Sequence, residues 1–279
     1  MLIQRAGQFK KMLGQMDDQG QVSYSLVLGE DRLELNALIG KSISLHLNGV
    51  IHCLACNRSV KKSYQQGYCF PCTQTLAQCD ICILRPELCH YRKGTCREPS
   101  WGESHCLKSH FIYLANSSGI KVGITRGTNI PTRWIDQGAS QALPILEVKE
   151  RYMSGLVEVL FKSEVADKTN WRKMLQGNPE SVDLLALRDQ LFAKLQPELH
   201  KLDAQFNGQA LTYLPEAKVL EFHYPVVEYP TSIKKADFDE QGVLNATLLG
   251  IKGQYWLFDR GVMNMRNLLG QHLSVEAVL

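Results

Sequence analysis

The sequence predicts an α+β protein of several units, on three observations: strand-like alternation at both ends, nine cysteines crowded into residues 53–106, and a hairpin followed by helix, strand and helix over residues 110–165. At 279 residues and 31.5 kDa the chain is long enough for two or three compact units, since a domain typically takes roughly 100–150 residues. A hydrophobic fraction of 44% with 21% charged residues is that of an ordinary globular chain and excludes a largely disordered one. The division expected is a β-rich segment at 1–52, a zinc-binding module at 53–108, an α/β domain with helices at 109–205 and a β-rich segment at 206–279 that pairs with 1–52.

At the N-terminal end QVSYSLVL, DRLELNAL and SISLHLNGVIHC alternate apolar with polar side chains and are separated by turn-forming residues, which reads as β-structure. HFIYLA, the turn NSSG and IKVGIT form the hairpin, with Asn116 and Gly119 supplying turn-tolerant backbone. A short helix follows, with Asn129 as cap, Pro131 in its first turn and Gly138 past its end. A strand over 145–152 leads to a helix from about Ser154, which places Val157, Leu160, Phe161 and Val165 on one face as a packing stripe. Residues 182–195 give a further helix stopped by Pro197. KVLEFHYPVVEYP and LNATLLGIKGQYWLFD return to strands.

The first residues, MLIQRAGQFKKMLGQMDD, lack the apolar run of a signal peptide, and no segment reaches the ~20 apolar residues of a membrane span. The expectation is a cytoplasmic protein with no membrane partner. In a reducing compartment, clustered cysteines are metal ligands or catalytic thiols rather than disulfides. Cys53-x2-Cys56 and Cys69-x2-Cys72 have the spacing of two knuckles that aim four sulfurs at one tetrahedral zinc ion. Cys79, Cys82, Cys89, Cys96 and Cys106 supply a second group, with His90 and His105 adjacent. Five thiols and two imidazoles exceed one four-ligand shell, so the expected set is Cys79 and Cys82 plus two of Cys89, Cys96 and Cys106. Closed thiolate sites of this kind are structural, so two Zn²⁺ ions would explain folding and leave any chemistry to other residues.

The net charge of +3 is too small to imply nucleic acid alone, but residues 53–126 hold ten Lys/Arg against four Asp/Glu. The negative charge of two thiolate sites offsets most of that excess. Arg58, Lys61 and Lys62 on one knuckle loop, with Arg126, remain as candidate nucleic-acid contacts.

Phe111-Ile112-Tyr113, then Lys121-Val122-Gly123-Ile124-Thr125, Arg133 on a helix and Glu158 on the next helix resemble the GIY-YIG nuclease core, over about a fifth of the chain. The resemblance implies a three-stranded antiparallel sheet with flanking helices. It also implies roles: Tyr113 near the attacking water, Gly123 as a close-approach glycine, Arg133 at the scissile phosphate and Glu158 holding one Mg²⁺ or Mn²⁺. Lys121 stands where the second motif has its tyrosine, and no histidine lies near Arg133. CDICILRPELCHYRKGTCREPSWGESHC, RWIDQGA and GIKGQYWLFDRGVMNMRN also resemble a bacterial family of unknown function.

Phosphodiester hydrolysis needs a positioned water, a group to take its proton, a cation for the developing charge and a metal at the leaving oxygen. The expected function is therefore a metal-dependent nuclease acting on DNA or RNA. The alternatives are a non-catalytic zinc-containing nucleic-acid-binding protein and a protein-interaction adaptor, for which Trp101 and the GQYWLF strand would be interface aromatics, although core packing is the role expected of both.

Overall fold

In a computed structural model, which describes residues 2–278, the chain begins with β1 (Leu2–Met16), β2 (Val22–Leu28), β3 (Asp31–Glu34) and β4 (Ser42–His52). The cysteine-rich segment holds β5 (Ser59–Val60), α1 (Phe70–Thr75), four single-turn 3-10 helices and α2 (Pro99–His105). Next come β6 (His110–Asn116), β7 (Ile120–Arg126), α3 (Thr132–Asp136), β8 (Gln141–Val148), α4 (Arg151–Phe161), α5 (Trp171–Leu175) and α6 (Leu184–Ala204). They are followed by β9 (Thr212–Tyr213), β10 (Leu220–Glu221), β11 (Val243–Lys252), β12 (Tyr255–Phe258), β13 (Gly261–Asn264) and β14 (Gln271–Val278). No helix among the described residues is long and apolar enough to cross a membrane.

Nine strands form the first sheet, in the order β13-β12-β11-β4-β14-β1-β2-β3 with β5 on β4, so strands from both ends of the chain interleave. β1 joins its two parts: residues 2–8 pair with β14, and after a bulge between Phe9 and Lys11 the strand pairs with β2. The sequence does not mark β1 as a strand, because its first half is mostly exposed and shows no apolar alternation.

The second sheet has the order β10-β8-β6-β7, with β9 on β8. Because successive strand side chains point to opposite faces, β6 feeds two cores. Tyr113 and Ala115 pack with Trp134 of α3 against Phe9, Met12, Tyr24 and Trp256 of the first sheet. Ile112 and Leu114 pack on the other side with Val157 and Phe161 of α4 and Leu195 and Leu199 of α6. Each such buried side chain contributes about 1.5–3 kcal/mol. The small sheet is thus fixed from both faces, and β7 is left at its edge.

Several boundaries differ from the sequence reading. β8 ends at Val148 and α4 starts at Arg151 rather than Ser154. α6 does not stop at Pro197 but continues to Ala204, because Leu199 and Leu202 beyond the proline are buried in the helix–sheet core and their burial offsets the hydrogen bond that Pro197 cannot donate. Its start is capped by the Asp183 carboxylate, which accepts from the N–H groups of Leu185 and Ala186. KVLEFHYPVVEYP forms only the short β10, since Pro225 and Pro230 have no N–H to give a ladder.

No residue of 53–106 belongs to a hydrophobic core cluster. The segment is fastened instead to the start of α4. The Arg151 N–H donates to the Cys106 carbonyl at 2.8 Å and its guanidinium to the Ile83 carbonyl at 2.5 Å. Arg92 pairs with Glu150 at 2.7 Å. Gly155 permits the approach, for a Cβ there would stand 2.4 Å from the backbone nitrogen of Glu87.

Candidate functional site

Cys53 directly follows β4, Cys69 precedes α1 and Cys72 lies within it, while Cys56 sits on the loop between. The four sulfurs of Cys53, Cys56, Cys69 and Cys72 lie within 4.8 Å of one another. Sγ of Cys56 is 3.7 Å from Sγ of Cys69, which matches the separation of about 3.8 Å for two thiolates each ~2.3 Å from a tetrahedral ion. The backbone N–H of Cys69 donates to Cys53 Sγ at 3.2 Å. Burial alone would raise the Cys53 thiol, but this hydrogen bond and the N–H groups of Cys56 and Ala55 outweigh it and bring the thiol down to about 6. The group could therefore bind a metal such as zinc.

The remaining cysteines divide. Cys82, Cys89, Cys96 and Cys106 line one small cavity. Cys79 is buried outside it, at the end of a 3-10 turn. His90 lies with Asp80 and Cys82 within 4.8 Å, whereas His105 stacks on Trp101, ring centroids 4.1 Å apart and 7° from parallel. Arg58, Lys61 and Lys62 are exposed on the first knuckle, with the Lys62 ammonium 5.3 Å from the centre of the Tyr64 ring.

A larger cavity of about 420 Å³ opens at the edge of β7 and gathers Tyr113, Lys121, Gly123, Arg126, Arg133 and Glu158. It also takes in Arg151, Asp167, Trp101, His105 and Cys106, so α3, α4 and the cysteine-rich segment each supply a wall. Tyr113 and Gly123 face each other across the hairpin. A Cβ at Gly123 would stand 2.5 Å from the Tyr113 hydroxyl oxygen, so only glycine leaves room for the phenol over the neighbouring strand. That hydroxyl donates to Oε1 of Gln137 at 3.0 Å. Burial raises its pKa, against the pull of Arg133 and Gln137, and it stays a neutral hydrogen-bonding group at neutral pH.

The carboxylates and cations of the cleft are unequally matched. Glu158 and Asp167 converge on one ammonium, that of Lys162, at 3.2 and 3.3 Å. Burial raises the Glu158 carboxyl, with Lys162 opposing and Asp167 adding to the rise. On the other side, the ion-paired arginines of the described chain are Arg32, Arg85, Arg92, Arg97, Arg188 and Arg266. Arg126, Arg133 and Arg151 are not among them, and Arg151 keeps a buried Nε without a partner. Lys121 donates to the Thr169 hydroxyl at 2.8 Å. Burial, and then the charge of Arg133, lower its ammonium to about 8. Four cations thus face a cleft whose two carboxylates are already engaged, which suits an anionic ligand.

Sequence reasoning missed Arg151, Asp167 and His105 as parts of this cleft. Arg151 and Asp167 lie at the first turn of α4 and beyond its end, where no local pattern distinguishes them from a solvated charge. Trp101, for which core packing was the expected role, instead lines the cleft and belongs to no apolar cluster. The GQYWLF strand does pack internally, with Trp256 fully buried.

Fold and site together define an α+β protein with antiparallel sheets, a four-cysteine group that could hold a metal and an adjoining cationic cleft. The chain belongs to the family described as "Protein of unknown function (DUF2797)", whose family model matches residues 40–273. Comparison with curated proteins and with solved structures gives no match.

Proposed function

We propose that the cleft at the edge of β7 binds a phosphodiester of DNA or RNA and hydrolyses it, as a GIY-YIG-type nuclease would. The observation that carries this reading is the set of Lys121, Arg126, Arg133 and Arg151 around one cavity, none of them ion-paired with a carboxylate among the described residues. Preorganised cations of this kind stabilise the charge that builds on phosphate oxygens as water attacks phosphorus and the leaving oxygen departs. Tyr113, held by Gln137 and given room by Gly123, would position the attacking water. The exposed Arg58, Lys61 and Lys62 would steady the backbone of a longer substrate, and a structural zinc ion on Cys53, Cys56, Cys69 and Cys72 would hold their loop.

Glu158 and Asp167 fit a Mg²⁺ or Mn²⁺ ion, since two hard oxygen donors already converge on a cation, the Lys162 ammonium. Such an ion would supply charge neutralisation at the leaving oxygen. The same ion pairs favour a second reading, a nucleic-acid-binding protein without hydrolysis, because Lys162 takes the place a metal would need. Incubation with Mn²⁺ and single-stranded, duplex and branched oligonucleotides separates the two. Hydrolysis predicts cleavage that Glu158→Ala lowers on the order of 10³-fold; cleavage unchanged in that variant removes Glu158 from the chemistry, and binding without cleavage selects the second reading.

A further inference from the structure

The space lined by Cys82, Cys89, Cys96 and Cys106 is lined also by Asp80, His90 and Arg97, and its volume is about 20 Å³. A sphere the size of one water needs about 10–15 Å³, so there is room for one ion and no more. Ligand atoms of Asp80, Cys82 and His90 all lie within 4.8 Å of one another. Within that group Oδ2 of Asp80 and Nε2 of His90 are 3.5 Å apart. Two such atoms, each about 2.0–2.1 Å from a tetrahedral zinc ion, would stand roughly 3.4 Å apart. Cys89 lies outside the group, but its thiol hydrogen-bonds that of Cys82 and lines the same cavity, which puts it in reach of the fourth position.

We propose that Asp80, Cys82, Cys89 and His90 hold a second zinc ion. Two sulfurs, an imidazole and a carboxylate are donors that zinc accepts together. They replace the thiol-only shell built on Cys79, which lies outside the cavity. His90 Nδ1 meets the Thr95 hydroxyl at 2.8 Å, which leaves Nε2 for the metal and fixes the ring as the outer partner of a ligating imidazole does. Arg97 does the same for Asp80. Its Nε is 2.7 Å from Oδ2, while Nη1 donates to the carbonyls of Thr73 and Leu76 at 3.0 and 3.3 Å. Thr73 shares α1 with Cys72, so Arg97 links this site to the first cysteine group. Two thiolates and a carboxylate exceed the charge of Zn²⁺ by one, and the guanidinium offsets it. With four protein ligands the shell is closed and the ion structural. The ion would fix the 3-10 turn Ile81–Ile83, whose last carbonyl accepts from the Arg151 guanidinium at 2.5 Å and so holds one cation of the cleft.

The test is a zinc count on the full chain after loading and dialysis, followed by X-ray absorption at the zinc edge. The expected count is about two ions per chain, with an average shell of about three sulfurs and one nitrogen or oxygen, because four thiolates at one site are averaged with two at the other. Cys89→Ala and His90→Ala lower the count to about one, whereas Cys96→Ala and Cys106→Ala leave it at about two. The edge spectrum of the wild type reads the ligand set without any variant. An average shell of four sulfurs, a single zinc ion per chain, or a count unchanged in His90→Ala overturns the proposal.

Discussion

Residues 53–106 and residues 110–204 wall the same cleft, but different physics orders them. The second region is tied down from both faces of its sheet, through Tyr113 and Trp134 on one side and Val157, Phe161 and Leu199 on the other. The first contributes nothing to any apolar cluster and is held by turns and by its hydrogen bonds and ion pair with the start of α4. A cleft built this way has one wall with an apolar core of its own and one without, whose four-cysteine group could hold a metal.

The largest expected effect exploits that difference. Under a strong chelator, amide hydrogen exchange should lose protection throughout 53–106 while β6, β8 and the nine-stranded sheet keep theirs, because a structural metal site contributes on the order of 10 kcal/mol to a region with no core. Uniform loss, or none, would show that both walls are ordered alike. Next in size, Phe161→Ala should lower global stability by about 3–5 kcal/mol in denaturant titration without changing the metal count; a variant that lost metal instead would tie the two regions together.

The smallest effect is one of charge. Lys121 belongs to the cored wall, and burial together with Arg133 holds its ammonium at about 8, so raising pH from about 7 to about 9 discharges it and weakens binding of an anionic ligand. The loss is at most ~1.4 kcal/mol for each unit of linked shift. Affinity measured across that range should fall for the wild type and stay flat for Lys121→Met. A fall of equal size in Lys121→Met would place the titrating group elsewhere.

The sequence exposes these regions unevenly. Cys53 to Cys72 is readable because each pair is local, with two residues between its cysteines, and two such knuckles together aim four sulfurs at one point. Among the remaining five only Cys79 and Cys82 share that spacing, and nothing local reveals that Cys79 lies outside the cavity that Cys82, Cys89, Cys96 and Cys106 line. The hairpin from His110 to Arg126 is legible from alternation and turn residues, and its register carries Tyr113 to Gly123. By contrast β1 lacks alternation, and Pro197 reads as a stop only until the burial of Leu199 and Leu202 is known. Tertiary packing decides what local pattern leaves open, and Arg151 and Asp167 enter the cleft on those terms.

The most direct test of the cleft as a phosphodiester site is the affinity of a fluorescent single-stranded oligonucleotide for wild type and for the Arg126→Ala, Arg133→Ala double variant across a salt series. The cleft account predicts binding at least about tenfold weaker in the double variant, with the slope of log affinity against log salt shallower by about 0.7 for each phosphate that the variant no longer neutralises. Equal affinity and equal slope in the two proteins would contradict it.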